Sequence, residues 1–192
     1  GRSDTVVSLK LENGKLVITY VIDLPVSLSH LTATLDGRDL YVAGYTVEEE
    51  SRKRLIQLDL DNVAGGWEQL EAWPGSTRGS LVAAYQDKGL YIIEGDSDGT
   101  SMALCRYDDG DGWSLRKSLP ATFYNGGVSL SLGPSHILFG GIDTARADKN
   151  RVVLWTYHTV TNTWSKIGGL ERSNGISAVI PWFIKKKAPE ID

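Results

Sequence analysis

Cysteine is almost absent: the 192 residues hold one, Cys105, so no disulfide can form within the chain. The fold must stand on packing, and a chain of this length buries a core without metal or disulfide help. A lone cysteine also gives no sign of an oxidising compartment. Cys105 sits in Met102-Ala103-Leu104-Cys105-Arg106-Tyr107, which reads as a strand with the thiol as a small, half-buried hydrophobe. No apolar run approaches the roughly 20 residues that span a bilayer as a helix. Positive charge is not in excess, since 20 Lys+Arg face 24 Asp+Glu for a net −4. Nucleic acid is therefore a poor partner, because phosphate binding needs clustered cations. The chain opens at Gly1 rather than Met, as after processing, cutting or cloning, and shows no signal-peptide pattern. Catalytic signatures are missing too: no Gly-x-Ser-x-Gly, no His-Glu-x-x-His, no Walker loop.

What is present is ordinary in bulk and unusual in detail. Hydrophobic residues make up 41% and charged residues 23%, the composition of a globular protein of one domain, two at most. Yet there are 21 Gly and 6 Trp. Three tryptophans recur in similar settings, Gly66-Trp67-Glu68, Gly112-Trp113-Ser114 and Thr163-Trp164-Ser165, spaced 46 and 51 residues apart. Each is followed by a short apolar strand and a turn (Trp73-Pro74, Leu119-Pro120, Leu170-Glu171), and Leu24-Pro25 fits the same series. A small-residue strand comes next, at His30 to Leu35, Gly79 to Tyr85, Gly126 to Leu132 and Gly175 to Ile180. A second strand then ends in Gly: Asp39 to Gly44, Gly89 to Gly95 and His136 to Gly141. After a polar loop a third strand runs through Leu55 to Leu60, Ala103 to Asp108 and Val153 to His158, and the Trp opens a fourth.

The unit is four short strands in 46–51 residues, with no helical period of comparable strength. One such sheet cannot bury both faces alone; stacked radially around an axis, each covers its neighbour. Ile56, Leu58 and Leu60 are expected to point one way and Gln57 and Asp59 the other. The Gly that ends each second strand suits positive φ or close backbone approach, and the Trp a wedge between sheets. At the two ends lie complementary parts. Val6 to Leu11, Asn13-Gly14 and Lys15 to Ile22 read as a hairpin of third and fourth strands. Glu171 to Phe183 reads as a first strand and the start of a second. The expected fold is all-β, a propeller of four-stranded antiparallel blades over 1–184. Its parts are 1–24, 25–73, 74–119, 120–170 and 171–184, with a polar tail at 185–192. About four blades' worth of sequence favours part of a longer ring over four units closing alone or pairing with a second copy.

Repeat position also brings residues together. The loops before each first strand and after each second strand surround one mouth. The first set gives His30, Arg78, Asn125, and Arg172 with Asn174; the second gives Tyr45, Glu94 and Gly141. Arg offers a planar fork for a carboxylate, and Glu or His can exchange protons. The acidic, Gly-rich stretches Asp96 to Gly99 and Asp108 to Gly112 lack calcium-loop spacing and read as turns. His30, His136 and His158 hold different repeat positions and show no common metal site. The run Glu48 to Arg54, and likewise Asp143 to Arg151, reads as a solvated loop able to grip a partner.

With Leu-Tyr-Ile-x-x-Gly, a variable loop, Leu-Asp or Tyr-Asp and the downstream Trp, nearly the whole chain resembles kelch repeats. The double Gly survives only at Gly140-Gly141. Gly37 to Gly44, Ile137 to Gly141 and Thr161 to Leu170 are similar to bacterial kelch proteins of the cyclically permuted mutarotase family, which includes N-acetylneuraminate epimerases. The blade phase, with third and fourth strands first, fits that family, although it has six blades. The resemblance implies ring opening and reclosure of a sialic acid or related carboxylated sugar, without cofactor, in a periplasmic or other extracytoplasmic setting. By repeat position, Glu94 or His30 would exchange protons and Arg78 or Arg172 would hold the carboxylate, with Asn125 and Asn174 also binding the substrate. The alternative is a non-catalytic kelch module that binds a glycan or protein through its mouth loops. Either way the expected partner is a sugar or glycan, with a protein or second copy completing the ring, and neither nucleic acid nor membrane.

Overall fold

The computed structural model describes residues 4–47, 52–75, 79–95, 102–143 and 151–171. Fourteen strands and one short 3-10 turn (Val63–Gly65) make up these residues. The first two strands, β1 (Thr5–Glu12) and β2 (Lys15–Asp23), form a two-stranded sheet. Asn13 and Gly14 join them with φ of 51° and 76°, the conformation that a two-residue hairpin turn requires and that Asn-Gly adopts most readily. Three four-stranded antiparallel sheets follow. Blade 1 holds β3 (Leu28–Leu35), β4 (Asp39–Thr46), β5 (Lys53–Asp59) and β6 (Glu68–Leu70); blade 2 holds β7 (Leu81–Gln86), β8 (Gly89–Gly95), β9 (Met102–Asp108) and β10 (Gly112–Leu119). Blade 3 holds β11 (Phe123–Leu132), β12 (His136–Asp143), β13 (Arg151–His158) and β14 (Thr163–Glu171). Strands pair in sequence order within each sheet, and the first strands β3, β7 and β11 adjoin one another. This is a propeller-like, all-β architecture, as the repeat predicts.

The second strand of blade 2 shows why the sheets stack. Leu90 and Ile92 face blade 1 and pack with Tyr41, Ala43, Tyr45 and Leu55. Tyr91 and Ile93, one residue out of phase, face blade 3 and pack with Ile137, Phe139 and Tyr157. A strand covered on both sides does not alternate, so β8 is buried at every position, apolar from Leu90 to Ile93. In blade 1 Ile56 and Leu58 are buried and Gln57 and Asp59 half-buried, as the alternation predicts, while Leu55 on the other face is also buried. Leu60, expected to point the same way as Ile56 and Leu58, lies past the end of β5 and is exposed. Cys105 is fully rather than half buried; burial pushes its thiol above the ordinary range, Glu94 adds to this and Lys53 opposes it.

The recurring Trp is a seam as well as a wedge. Trp67 Nε1 donates to the Asp23 carbonyl (2.8 Å), Trp113 Nε1 to Glu71 (3.0 Å) and Trp164 Nε1 to Lys117 (2.7 Å). Each acceptor lies near the end of the preceding sheet's outer strand or just after it: Asp23 ends β2, Glu71 follows β6 and Lys117 stands two residues before the end of β10. Along the inner strands, Ala83 N–H donates to Thr32 Oγ1 (3.0 Å) and Ser129 Oγ to the Ala83 carbonyl (2.5 Å). Small side chains there let neighbouring strands approach. The Gly that ends a second strand works by close approach: a Cβ at Gly141 would stand 2.4 Å from the Phe123 ring.

The hairpin is different. Leu9 lies opposite Ile18, Leu11 opposite Leu16 and Val7 opposite Tyr20. All six are exposed among the described residues.

Two outcomes follow for stability. Trp113→Phe keeps an aromatic ring but loses the indole's second ring and its hydrogen bond, so urea unfolding should show a loss of about 2 kcal/mol with unchanged m-value. At Tyr157, fully buried between blades 2 and 3, burial pushes the phenol up to about 12; Tyr91 adds to this, and Arg116 and Arg106 oppose it. The folded state thus favours the neutral phenol. Its contribution is complete below the unfolded value near pH 10 and is lost as pH rises through about 12. Urea titrations from pH 9 to pH 12 should show stability falling by about 2 kcal/mol over that window, less in Tyr157→Phe.

Candidate functional site

Equivalent positions follow from the pairing. Leu40 opposes Leu58, Leu90 opposes Tyr107 and Ile137 opposes Tyr157. Four residues further along the second strands stand Gly44, Glu94 and Gly141. Blade 2 thus places a carboxylate where blades 1 and 3 have no side chain, and on the face that meets blade 1.

Glu94 is 4% exposed and fully engaged. The Tyr45 hydroxyl donates to Oε1 at 2.5 Å, and Lys53 Nζ donates to Oε2 at 2.6 Å. Lys53 also donates to the Pro74 carbonyl (3.2 Å) and lies 5.0 Å from the centre of the Trp73 ring. The Tyr45 oxygen accepts the Gly79 N–H at 3.2 Å, and its ring meets Trp73 edge-on at 5.9 Å. Pro74 and Gly75, just after blade 1, lie against this group. Gly75 has φ of +104°, and a Cβ there would stand 3.3 Å from Glu94 Oε2 and 3.5 Å from Lys53 Nζ. Gly suits both the positive φ and the tight fit. The Trp73 indole N–H is buried with no hydrogen-bond partner among the described residues.

His30 reaches the same end of the sheet from β3. It lies within the strand, not before it, where the register with β4 shifts between Ser29 and Thr32. Its φ is 50° and its side chain is exposed. A bulge of this kind turns one side chain away from the ladder. The ring stands edge-on to Tyr45, centroids 6.3 Å apart. A matching shift in β11, between Tyr124 and Gly127, contains Asn125. The backbone therefore puts His30 and Asn125 at one repeat position, as their sequence settings predict; the Asn125 side chain is not among those described. Arg78, Arg172 and Asn174 lie outside the described residues.

Lys53 is the residue that sequence reasoning missed. The run Glu48 to Arg54 reads as a solvated loop, but Lys53 and Arg54 belong to β5, and the Lys53 side chain is only 12% exposed. Its partner comes from another blade, so no local pattern marks it. The Asp108 to Gly112 stretch is a turn, as expected, with Gly110 at φ 88° and Gly112 at φ 75°. His136 and His158 do meet, directly opposed on β12 and β13 with ring centroids 4.4 Å apart. Among the described residues no three His, Cys, Asp or Glu side chains gather as metal ligands. Asp96 to Gly99 lies outside the described residues.

No family model and no curated protein matches the chain. Among solved structures the chain is similar to AofleA from Arthrobotrys oligospora, with a TM-score of 0.55 at 15% identity. The match covers 84% of this chain and 49% of that one. The chain thus spans about half the length of this neighbour, and the likeness is one of fold.

The ion pair joins two blades. Removing one partner of a buried pair strands the other charge, at a cost of about 3–5 kcal/mol. Lys53→Met should therefore destabilise by about 3 kcal/mol, and the double variant Lys53→Met/Glu94→Leu by less than Lys53→Met alone. Urea unfolding of the four-member cycle measures both.

Proposed function

We propose that this chain is a kelch-type propeller module that recognises a hydroxylated sugar or glycan at the mouth around β3, β4 and β8, without catalysis. The kelch reading rests on the repeated Leu-Tyr, Tyr-Asp and Trp positions. One observation favours binding over catalysis: Glu94 is only 4% exposed, with Tyr45 and Lys53 hydrogen-bonded to its two oxygens. A general base must come within hydrogen-bond reach of the substrate's proton, and the covering groups stand in that path. Held as it is, Glu94 makes the mouth rigid rather than reactive. His30 supplies an exposed donor and acceptor at its rim.

A second reading, anomer exchange in a sialic acid or related carboxylated sugar, draws on the same histidine. An exposed imidazole beside the Tyr45–Glu94 pair is placed to exchange protons with solvent and sugar. On this reading Arg78 and Arg172 hold the carboxylate, Asn125 and Asn174 contact hydroxyls, and Glu94 acts through Tyr45.

One-dimensional proton NMR of freshly dissolved α-sialic acid separates the two. Binding alone gives saturation transfer from protein to sugar with an anomer-exchange rate equal to that in buffer. Acceleration that scales with protein and falls at least tenfold in His30→Ala replaces the binding reading with the catalytic one. Neither transfer nor acceleration overturns both for this sugar class.

A further inference from the structure

The seam between blades 1 and 2 has two ends. Glu94 lies at one, beside the end of β4. At the other, near the start of β4, Tyr41 stacks on Tyr85 of β7, with ring centroids 5.6 Å apart and planes 10° apart. Tyr41 is 9% exposed and Tyr85 is half-buried. A buried phenol usually finds a partner, yet neither hydroxyl makes a hydrogen bond among the described residues.

The register gathers carboxylates in the same space. Asp39 stands two residues before Tyr41 and shares its face. Tyr85 opposes Leu90, which faces blade 1. Burial raises the Tyr41 phenol above its ordinary range, and Asp36, Tyr85, Asp39 and Asp109 add to this. Burial does the same to Tyr85, helped by Asp36, Asp39, Asp108 and Asp109. These acids come from the turn before β4, the first residue of β4, and the end of β9 with the turn after it. Their charge is only partly met. Arg106 pairs with Asp108 at 2.5 Å, whereas Arg38 is held by Asp59 and reaches Asp39 only at 4.0 Å. Asp36 and Asp109 have no ion-pair partner among the described residues, and one oxygen of Asp39 is buried without a hydrogen bond.

The next seam carries the opposite sign at the same step. Tyr91 follows Leu90 as Tyr41 follows Leu40, but its nearest charges are led by Arg106 and Arg116, which oppose the effect of burial. Ser131 opposes Ile137 where Tyr85 opposes Leu90. The pair of phenols among acids therefore belongs to blades 1 and 2, not to the repeat.

What this end of the seam lacks is a cation. Among the described residues the carboxylates do not gather as metal ligands. An anion would be repelled, and a neutral sugar would gain nothing from the charge. A quaternary ammonium has no N–H to give to carboxylate and phenol oxygens. A primary ammonium or a guanidinium has several, and can spread them over acceptors too far apart for one metal ion.

We propose that this end of the seam binds a primary ammonium or guanidinium group, borne by a free amine or by a Lys or Arg side chain, on the Tyr41 and Tyr85 hydroxyls and the carboxylates of Asp39 and Asp109. It shares none of these residues with the Glu94 mouth, and either site stands if the other fails.

The test labels tyrosine with ¹³C at the phenol carbon and assigns two signals with Tyr41→Phe and Tyr85→Phe. The cationic probes are cadaverine, agmatine, and end-blocked Gly-Lys-Gly and Gly-Arg-Gly. The controls are the lysine peptide acetylated on its side chain, choline and Mg²⁺. At least one cationic probe should shift both signals saturably, with a dissociation constant of about 1 mM for so few contacts. Added salt should weaken it. Asp39→Asn and Asp109→Asn should each weaken binding about threefold, with the Tyr157 signal of the other seam in place, which reports an intact fold. Tighter binding of a peptide than of the free amine with the same head group supports a polypeptide as the source, and the reverse a free amine. No shift with any of the four cationic probes at about 20 mM overturns the proposal. So does binding that survives both Asp substitutions, or an equal response to the acetylated peptide, choline or Mg²⁺.

Discussion

Coverage of both sheet faces is the constraint on which the rest depends. A four-stranded blade is too thin to hide an apolar face by itself, so its neighbours must do so. The second strand of blade 2 meets this condition with Leu90 and Ile92 on one side and Tyr91 and Ile93 on the other. The first strands meet it with Thr, Ala, Ser and Gly, whose small side chains let inner edges approach and exchange hydrogen bonds. The hairpin β1–β2 shows the opposite case: its Leu, Ile, Val and Tyr side chains are as apolar as those of a blade and remain exposed among the described residues.

Within that frame the Glu94 group is an exception placed at a seam. The position needs only a small residue in blades 1 and 3, and blade 2 uses it to bring a carboxylate against Tyr45 and Lys53 of its neighbour. Burying this pair gives little net stability, because desolvation offsets much of the attraction. What it does give is angular specificity. Three polar groups must meet within hydrogen-bond distance, so the blades can lock in one relative position only. The same contacts hold Trp73, Gly75 and Gly79 around the Tyr45–Glu94 pair, with His30 edge-on to Tyr45.

The strand pattern was legible because it repeats. Apolar runs, Gly and Trp recur at matching offsets, and the Asn13-Gly14 turn marks the hairpin without help from its surroundings. Leu60 was misplaced by extending a period-2 row past the last paired residue of β5. Glu94 and His30 could be picked from their repeat positions, and the structure brings them to one end of the fold. Lys53 could not, because its role depends on a partner 41 residues away in another sheet.

The indole-to-carbonyl link has a bearing on the history of the gene. Its span is nearly constant, 44, 42 and 47 residues, about one repeat. Each unit therefore carries a donor for its predecessor and an acceptor for its successor. In-frame duplication or deletion of one unit recreates the same joint on either side, with no new chemistry to invent. Recombination is thus free to change the number of units, and point substitution is left to make them differ. The Glu94 joint is where that freedom ends, since blade 2 cannot be exchanged for a copy of blade 3 without stranding Lys53.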